Sequence, residues 1–189
     1  MKGREARDLT LSAFVLALAF STVFAGGPGK ATNYLPLSLL AVSVGFVAHE
    51  LSHRYLARRF GCYAEYRAWP MGLLLALLLS LVGFVFAAPG AVVIQPRLGP
   101  WGTILGPGKR EYGKISLAGP LSNLFLASLF LSLHLLHPWF GFYLAASVNG
   151  WLALFNLLPL PPLDGSKVFR WDKRVWAGAF LTSLFFLFA

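Results

Sequence analysis

Between Tyr34 and Ala57 lies a stretch long enough to cross a bilayer, and its last third holds two imidazoles and a carboxylate, His49, Glu50 and His53. Ionisable groups at that depth are costly, and they face a protein interior, a polar partner or a wet cavity rather than lipid. The stretch must therefore pack against other spans that supply those partners. The composition provides them: 57% of the 189 residues are hydrophobic and only 12% are charged, which excludes an ordinary soluble domain. We expect one membrane-embedded domain over residues 1–189, organised around a core at about 34–165. The formal charge of +9 sits in short clusters beside apolar spans, not on an aromatic-interleaved surface. Such clusters set topology against the cytoplasmic leaflet, and no nucleic-acid partner is expected. Cys62 has no second cysteine to pair with and reads as an inert loop residue.

The first span is expected from Leu9 to Ala25. A cleavable signal peptide is the alternative, because Val23-Phe24-Ala25 resembles a small-residue cleavage site, but the run exceeds the usual apolar core of roughly 7–15 residues. Gly26 to Asn33 reads as a turn, and the second span follows from Tyr34 to about Ala57. Tyr63, Tyr66 and Trp69, interleaved with Glu65 and Arg67, suit an interfacial loop or a short strand. Met71 to Ala88 is apolar, Pro89-Gly90 breaks it, and Ala91 to Ile94 reads as a short strand. Further spans are expected at Ile115 to Leu136, Trp139 to Leu160 and, more briefly, Val175 to Ala189. A full crossing by Met71 to Ala88 would split the 16 basic residues seven to nine across the membrane. If that segment instead enters and returns on one side, Lys30 alone faces outward and all other Lys and Arg residues face the cytoplasm. The positive-inside rule favours the second arrangement. The expected fold is thus an all-α polytopic membrane protein of about five to six transmembrane helices, with a re-entrant hairpin carrying short membrane-embedded β-strands. Such backbone is tolerated only where protein or water satisfies it.

Residues four apart share a helix face, so His49 and His53 can offer two nitrogens to one metal ion, with Glu50 beside them as general base. From His49 to Arg58 is nine helical residues, which places a metal roughly 14 Å from the basic boundary at about 1.5 Å per residue. A third ligand is expected at Asp164. Pro159, Pro161 and Pro162 unwind the chain just before it, and Gly165 is expected to let the backbone turn sharply behind it. Taken alone, Asp164-Gly165 reads better as a capping aspartate and a glycine turn. With the re-entrant topology, however, Asp164 falls on the same side as the histidines. Asn149 and Asn156 are amides in an apolar span and need partners. Asn123 follows small residues from Ala118, where close helix packing is the plainer role and site lining the other. His134 and His137 lie at the far end of the fourth span as interfacial residues, while Glu65, Glu111 and Asp172 read as solvated partners of neighbouring basic groups.

Three motifs together resemble the site-two protease family of intramembrane zinc metalloproteases, in its compact prokaryotic form without a PDZ or CBS domain. They are His49-Glu50-Leu51-Ser52-His53, the pattern N-x-x-P-x-x-x-L-D-G from Asn156 to Gly165, and Ala118-Gly119-Pro120-Leu121-Ser122-Asn123. Ser166-Lys167 departs from the Gly-Arg pair expected after the aspartate and glycine. The resemblance implies Zn2+ as cofactor on His49, His53 and Asp164, and cleavage of transmembrane protein substrates near the cytoplasmic face. It also implies that Asn156, and on the site-lining reading Asn123, help bind substrate. The expected setting is a cell membrane, with the N-terminus and active site toward the cytoplasm. The alternative is a membrane metal-binding protein without hydrolysis, a transporter, sensor or silent scaffold, which would not need Glu50 as a base. The sequence does not set the oligomeric state.

Overall fold

The computed structural model describes residues 3–98 and 104–188; Met1, Lys2, Ala189 and residues 99–103 of the Gly- and Pro-rich segment lie outside them. Helix α1 (Gly3–Phe24) is joined by one 3-10 turn (Pro28–Lys30) to α2 (Ala31–Arg59). Strand β1 (Tyr63–Ala68), helix α3 (Pro70–Ser80) and strand β2 (Gly90–Gln95) follow. A two-residue pairing of β3 (Arg97–Leu98) with β4 (Ile104–Leu105) leads to α4 (Lys109–Leu136), α5 (Phe140–Asn156), α6 (Asp164–Trp171) and α7 (Lys173–Phe188). Most of the described residues are helical. Three of them, α1, α2 with its leading 3-10 turn, and α4, are long and apolar enough to cross a membrane. The helices α5 and α7, at 17 and 16 residues, are shorter. Leu40, Val82, Phe125 and Leu135 stand exposed on the outside, the pattern of a protein solvated by lipid.

Helix α2 lies at the centre, packed against α1, α4 and α5. It ends in a Schellman turn, in which Cys62 and Gly61 donate their N–H groups to the carbonyls of Ala57 and Arg58 at 3.0 and 2.9 Å. The chain then runs directly into β1. Strands β1 and β2 pair antiparallel in a register from Tyr63 opposite Gln95 to Ala68 opposite Gly90. The chain between them therefore leaves and returns at one place. It is helical for less of its length than the unbroken apolar run predicts: α3 stops at Ser80, the chain turns at Leu81–Gly83, and the return from Phe84 is no longer helical. Side-chain packing supports that return. Val85, Ala87 and Ala88 are buried, and the Trp151 indole donates to the Val85 carbonyl at 2.9 Å.

The outer edge of β1 is closed by α1. Glu5, only 2% exposed, accepts the Tyr66 N–H at 3.2 Å, and Asp8 accepts the Ala68 N–H at 3.4 Å. Arg54 of α2 pairs with the same Glu5 oxygen at 3.1 Å, so one carboxylate ties α1, α2 and the sheet together. Glu65 is a further departure from expectation. It is buried on β1 between the Tyr63 hydroxyl at 2.9 Å and Arg67 at 3.0 Å, and is not solvated. Glu111 and Asp172 serve helix N-termini, accepting the N–H groups of Gly108 and of Arg174 and Val175.

Candidate metal centre

The four-residue spacing on α2 brings the His49 and His53 Nε2 atoms to 3.0 Å from each other, and both side chains are buried. Asp164 joins them from 111 positions along the chain. Helix α5 ends at Asn156, three prolines carry the chain around, and Asp164 opens α6 with its Oδ2 at 2.8 Å from His53 Nε2 and 3.5 Å from His49 Nε2. Gly165 does not supply the sharp turn that the sequence suggests, since it is helical. It is needed for close approach: a Cβ there would stand 2.1 Å from the Leu157 carbonyl oxygen. Burial alone would raise the Asp164 carboxyl, but His53, His49 and Lys167 more than offset it and hold the group well below the usual carboxylate range.

The hydrogen bonds behind the histidines decide what the ring nitrogens present to the centre. Asn149 donates to the Ala145 carbonyl at 2.9 Å, which turns its Oδ1 toward Asn123. The Asn123 amide donates to that oxygen at 2.9 Å and to the Gly45 carbonyl at 3.0 Å, so its own Oδ1 is left to accept from His49 Nδ1 at 2.6 Å. His53 Nδ1 donates to the Ile115 carbonyl at 2.7 Å. Both imidazoles thus carry their proton on Nδ1, and both Nε2 lone pairs point inward with a carboxylate oxygen. A single proton can reconcile one pair among these three atoms, whereas a metal ion satisfies all three.

The donor set and spacing fit zinc. Nitrogen and oxygen ligands about 2.0–2.2 Å from a tetrahedral ion lie roughly 3.4 Å apart, and the three separations here are 3.0, 2.8 and 3.5 Å. The facing helix α4 leaves room only because residue 119 is glycine. A Cβ there would sit 2.4 Å from His53 Nε2 and 2.6 Å from His49 Nε2 and would collide with both rings.

These groups open onto a cavity of about 280 Å³ whose far wall is β2, from Gly90 to Ile94. Glu50 and Asn156 line it as well. One Glu50 oxygen, Oε2, is buried and makes no hydrogen bond. Asn156 donates to the Leu152 carbonyl at 2.9 Å within its own helix. Asn123 is fully buried behind His49, where its side-chain oxygen orients the ring. His134 lies at the opposite end of α4, against the Trp139 carbonyl. Sequence reasoning missed the Ile115 carbonyl and the Asn149 link, although the need for a partner at Asn149 was a signal.

No family model matches the chain, and no solved structure does. Curated proteins do. A protein of Methanocaldococcus jannaschii is 42% identical over 182 residues, covering 92% of this chain and 87% of its own length. YwhC of Bacillus subtilis is 35% identical over 169 residues, covering 71% and 70%. Rip2 of Mycolicibacterium smegmatis is 28% identical over 196 residues, covering 87% and 72%. All three carry the provisional name zinc metalloprotease.

Proposed function

The chain belongs to the site-two protease family of zinc metalloproteases, and from that premise we propose that it is an intramembrane endopeptidase that cleaves transmembrane segments of other proteins near the cytoplasmic face. The observation that carries the reading is the convergence of two bare Nε2 lone pairs and the Asp164 carboxylate beside an unpartnered Glu50 oxygen, inside helices of membrane-spanning length. His49, His53 and Asp164 are the zinc ligands in this reading. Zinc held by these three residues would supply a Lewis acid able to acidify a water and polarise a peptide carbonyl. Glu50 accepts the proton as the carbonyl is attacked and passes it to the leaving amine. Its free Oε2 suits that task, since a carboxylate already committed to a hydrogen bond would be a poorer acceptor. Asn123 and the Ile115 carbonyl keep the two imidazoles in the required tautomer throughout.

A transmembrane helix hides its carbonyls in its own hydrogen bonds and has to be unwound before Glu50 can serve it. The outer edge of β2 carries no partner strand among the described residues and lines the cavity. An unwound substrate segment pairs there, with Asn156 holding its backbone from the other side. Residues 1–189 act as one domain with its catalytic core at about 34–165. Five helices cross a cell membrane, and β1, α3 and β2 form a re-entrant hairpin, supported by strands that pair where the chain leaves α2 and where it approaches α4. The N-terminus and active site then face the cytoplasm.

The test is cleavage of a purified transmembrane peptide by the chain reconstituted in lipid. Glu50→Gln is expected to abolish cleavage while retaining about one zinc per chain. Undiminished cleavage by that variant defeats the proposal, and zinc binding without cleavage by the wild type favours a metal-binding role instead.

A further inference from the structure

The two oxygens of Asp164 have different partners. Oδ2 faces the two Nε2 atoms, and Oδ1 accepts a hydrogen bond from the Lys167 ammonium at 3.2 Å. Lys167 lies one turn further along α6, where positions i and i+3 share a face. A cation in the first turn of a helix opposes the helix dipole, so a lysine at this place needs a local anion to hold it. The Tyr112 ring, 5.8 Å from Nζ, lies on the other side of the ammonium. Lys167 also lines the cavity shared with Glu50, and its side chain is 22% exposed.

A carboxylate can give a metal one oxygen or both. With both given, the coordination shell fills, and the position that the reacting groups need is lost. We propose that Lys167 is a positioning residue that occupies Asp164 Oδ1 by a charge-assisted bond and so restricts this ligand to a single oxygen, Oδ2. The inference rests on the zinc reading of the site. It assigns Lys167 no contact with substrate and no proton to move.

The experiment uses the 189-residue chain in lipid, loaded with cobalt in place of zinc, in wild type, Lys167→Met and Lys167→Arg. Methionine keeps the length and helix preference of the side chain and removes the charge. Cobalt shows visible absorption that weakens as its coordination number rises, so it reports how many oxygens Asp164 gives. Lys167→Met is expected to take up as much cobalt as wild type with a severalfold weaker visible band, and to lose cleavage about 10- to 100-fold in kcat with KM unchanged, the range for an outer-shell partner of a metal ligand. Lys167→Arg, which restores a donor at the same place, is expected to recover the wild-type spectrum. A Lys167→Met spectrum identical to wild type overturns the proposal whatever its activity, as does failure of Lys167→Arg to restore the band. Absence of cobalt uptake by the wild type removes the metal reading itself, which distinguishes the two failures.

Discussion

Gly119→Ala is a one-methyl perturbation whose consequence follows from the structure. The added Cβ would lie 2.4 Å from His53 Nε2, 2.6 Å from His49 Nε2 and 2.7 Å from His49 Cδ2, where ordinary contact begins at 3.4 Å. Relief therefore requires about 1 Å of movement by the rings or by α4, against the roughly 0.2 Å that metal–ligand distances tolerate. The rings have little freedom to recoil, because His49 is held by Asn123 at 2.6 Å and His53 by the Ile115 carbonyl at 2.7 Å. Overpacking of this kind costs about 1–3 kcal/mol, and the better helix propensity of alanine offsets up to about 1 kcal/mol of it. The net loss of fold stability is thus small. Zinc affinity, by contrast, is expected to fall more than about 100-fold, since both imidazoles are displaced together and one outer-shell defect alone costs about 10- to 100-fold. Zinc competition against a chelator, with thermal unfolding of the metal-free protein as control, separates the two effects. Zinc binding by Gly119→Ala within about threefold of wild type would show that the rings do not need the space left by the glycine.

Further outcomes follow from the partners of the site. Asn123→Leu removes the acceptor that fixes the His49 tautomer and is expected to weaken zinc about 10- to 100-fold in the same chelator competition. It also strips a donor from the Gly45 carbonyl and from Asn149, at a cost of about 1–3 kcal/mol each in thermal or denaturant unfolding. Glu5→Leu leaves Arg54 buried without its partner, and a loss of about 3–5 kcal/mol is expected, most of it recovered in the double variant with Arg54→Met. In a Cys62→Ser background, single cysteines replacing Arg59 and Gly108 are expected to react with an impermeant thiol reagent from one side of the membrane, and a cysteine replacing Leu136 from the other. Opposite-sided labelling of the first two would show that β1, α3 and β2 cross the bilayer.

What was legible in the sequence was short-range or was summed over the whole chain. The histidine pair needs only the helix repeat, and the strand at Ala91 to Ile94 needs only a break at Pro89-Gly90 and β-branched residues after it. What was not legible depends on how helices cross. Asn123 meets His49 from 74 positions away, and nothing within either segment announces that an amide on α4 will orient a ring on α2. Glu5 stands in a polar N-terminal stretch where a carboxylate ordinarily meets water. Its burial exists only because α1 docks on β1 and Arg54 reaches it from α2. Lys167 was noted only as a departure from an expected pair, since the oxygen it holds is defined by which way Asp164 faces.

The docking of α1 also bears on how a substrate could approach. A two-stranded sheet has two edges with unpaired N–H and C=O groups, and each is a template for another strand. Here the Glu5 and Asp8 carboxylates take the outward N–H groups of Tyr66 and Ala68, so β1 has lost two of the donors that an added strand would need. Strand β2 has no second partner strand among the described residues, and it lines the cavity with Glu50 from Gly90 to Ile94. If unwound substrate enters by strand pairing, the carboxylates on α1 leave β2 as the template and disfavour the β1 edge. The same Glu5 oxygen that closes this edge pairs with Arg54, the residue next to His53 on α2. One buried carboxylate therefore links the capped edge of the sheet to the helix that carries both histidines.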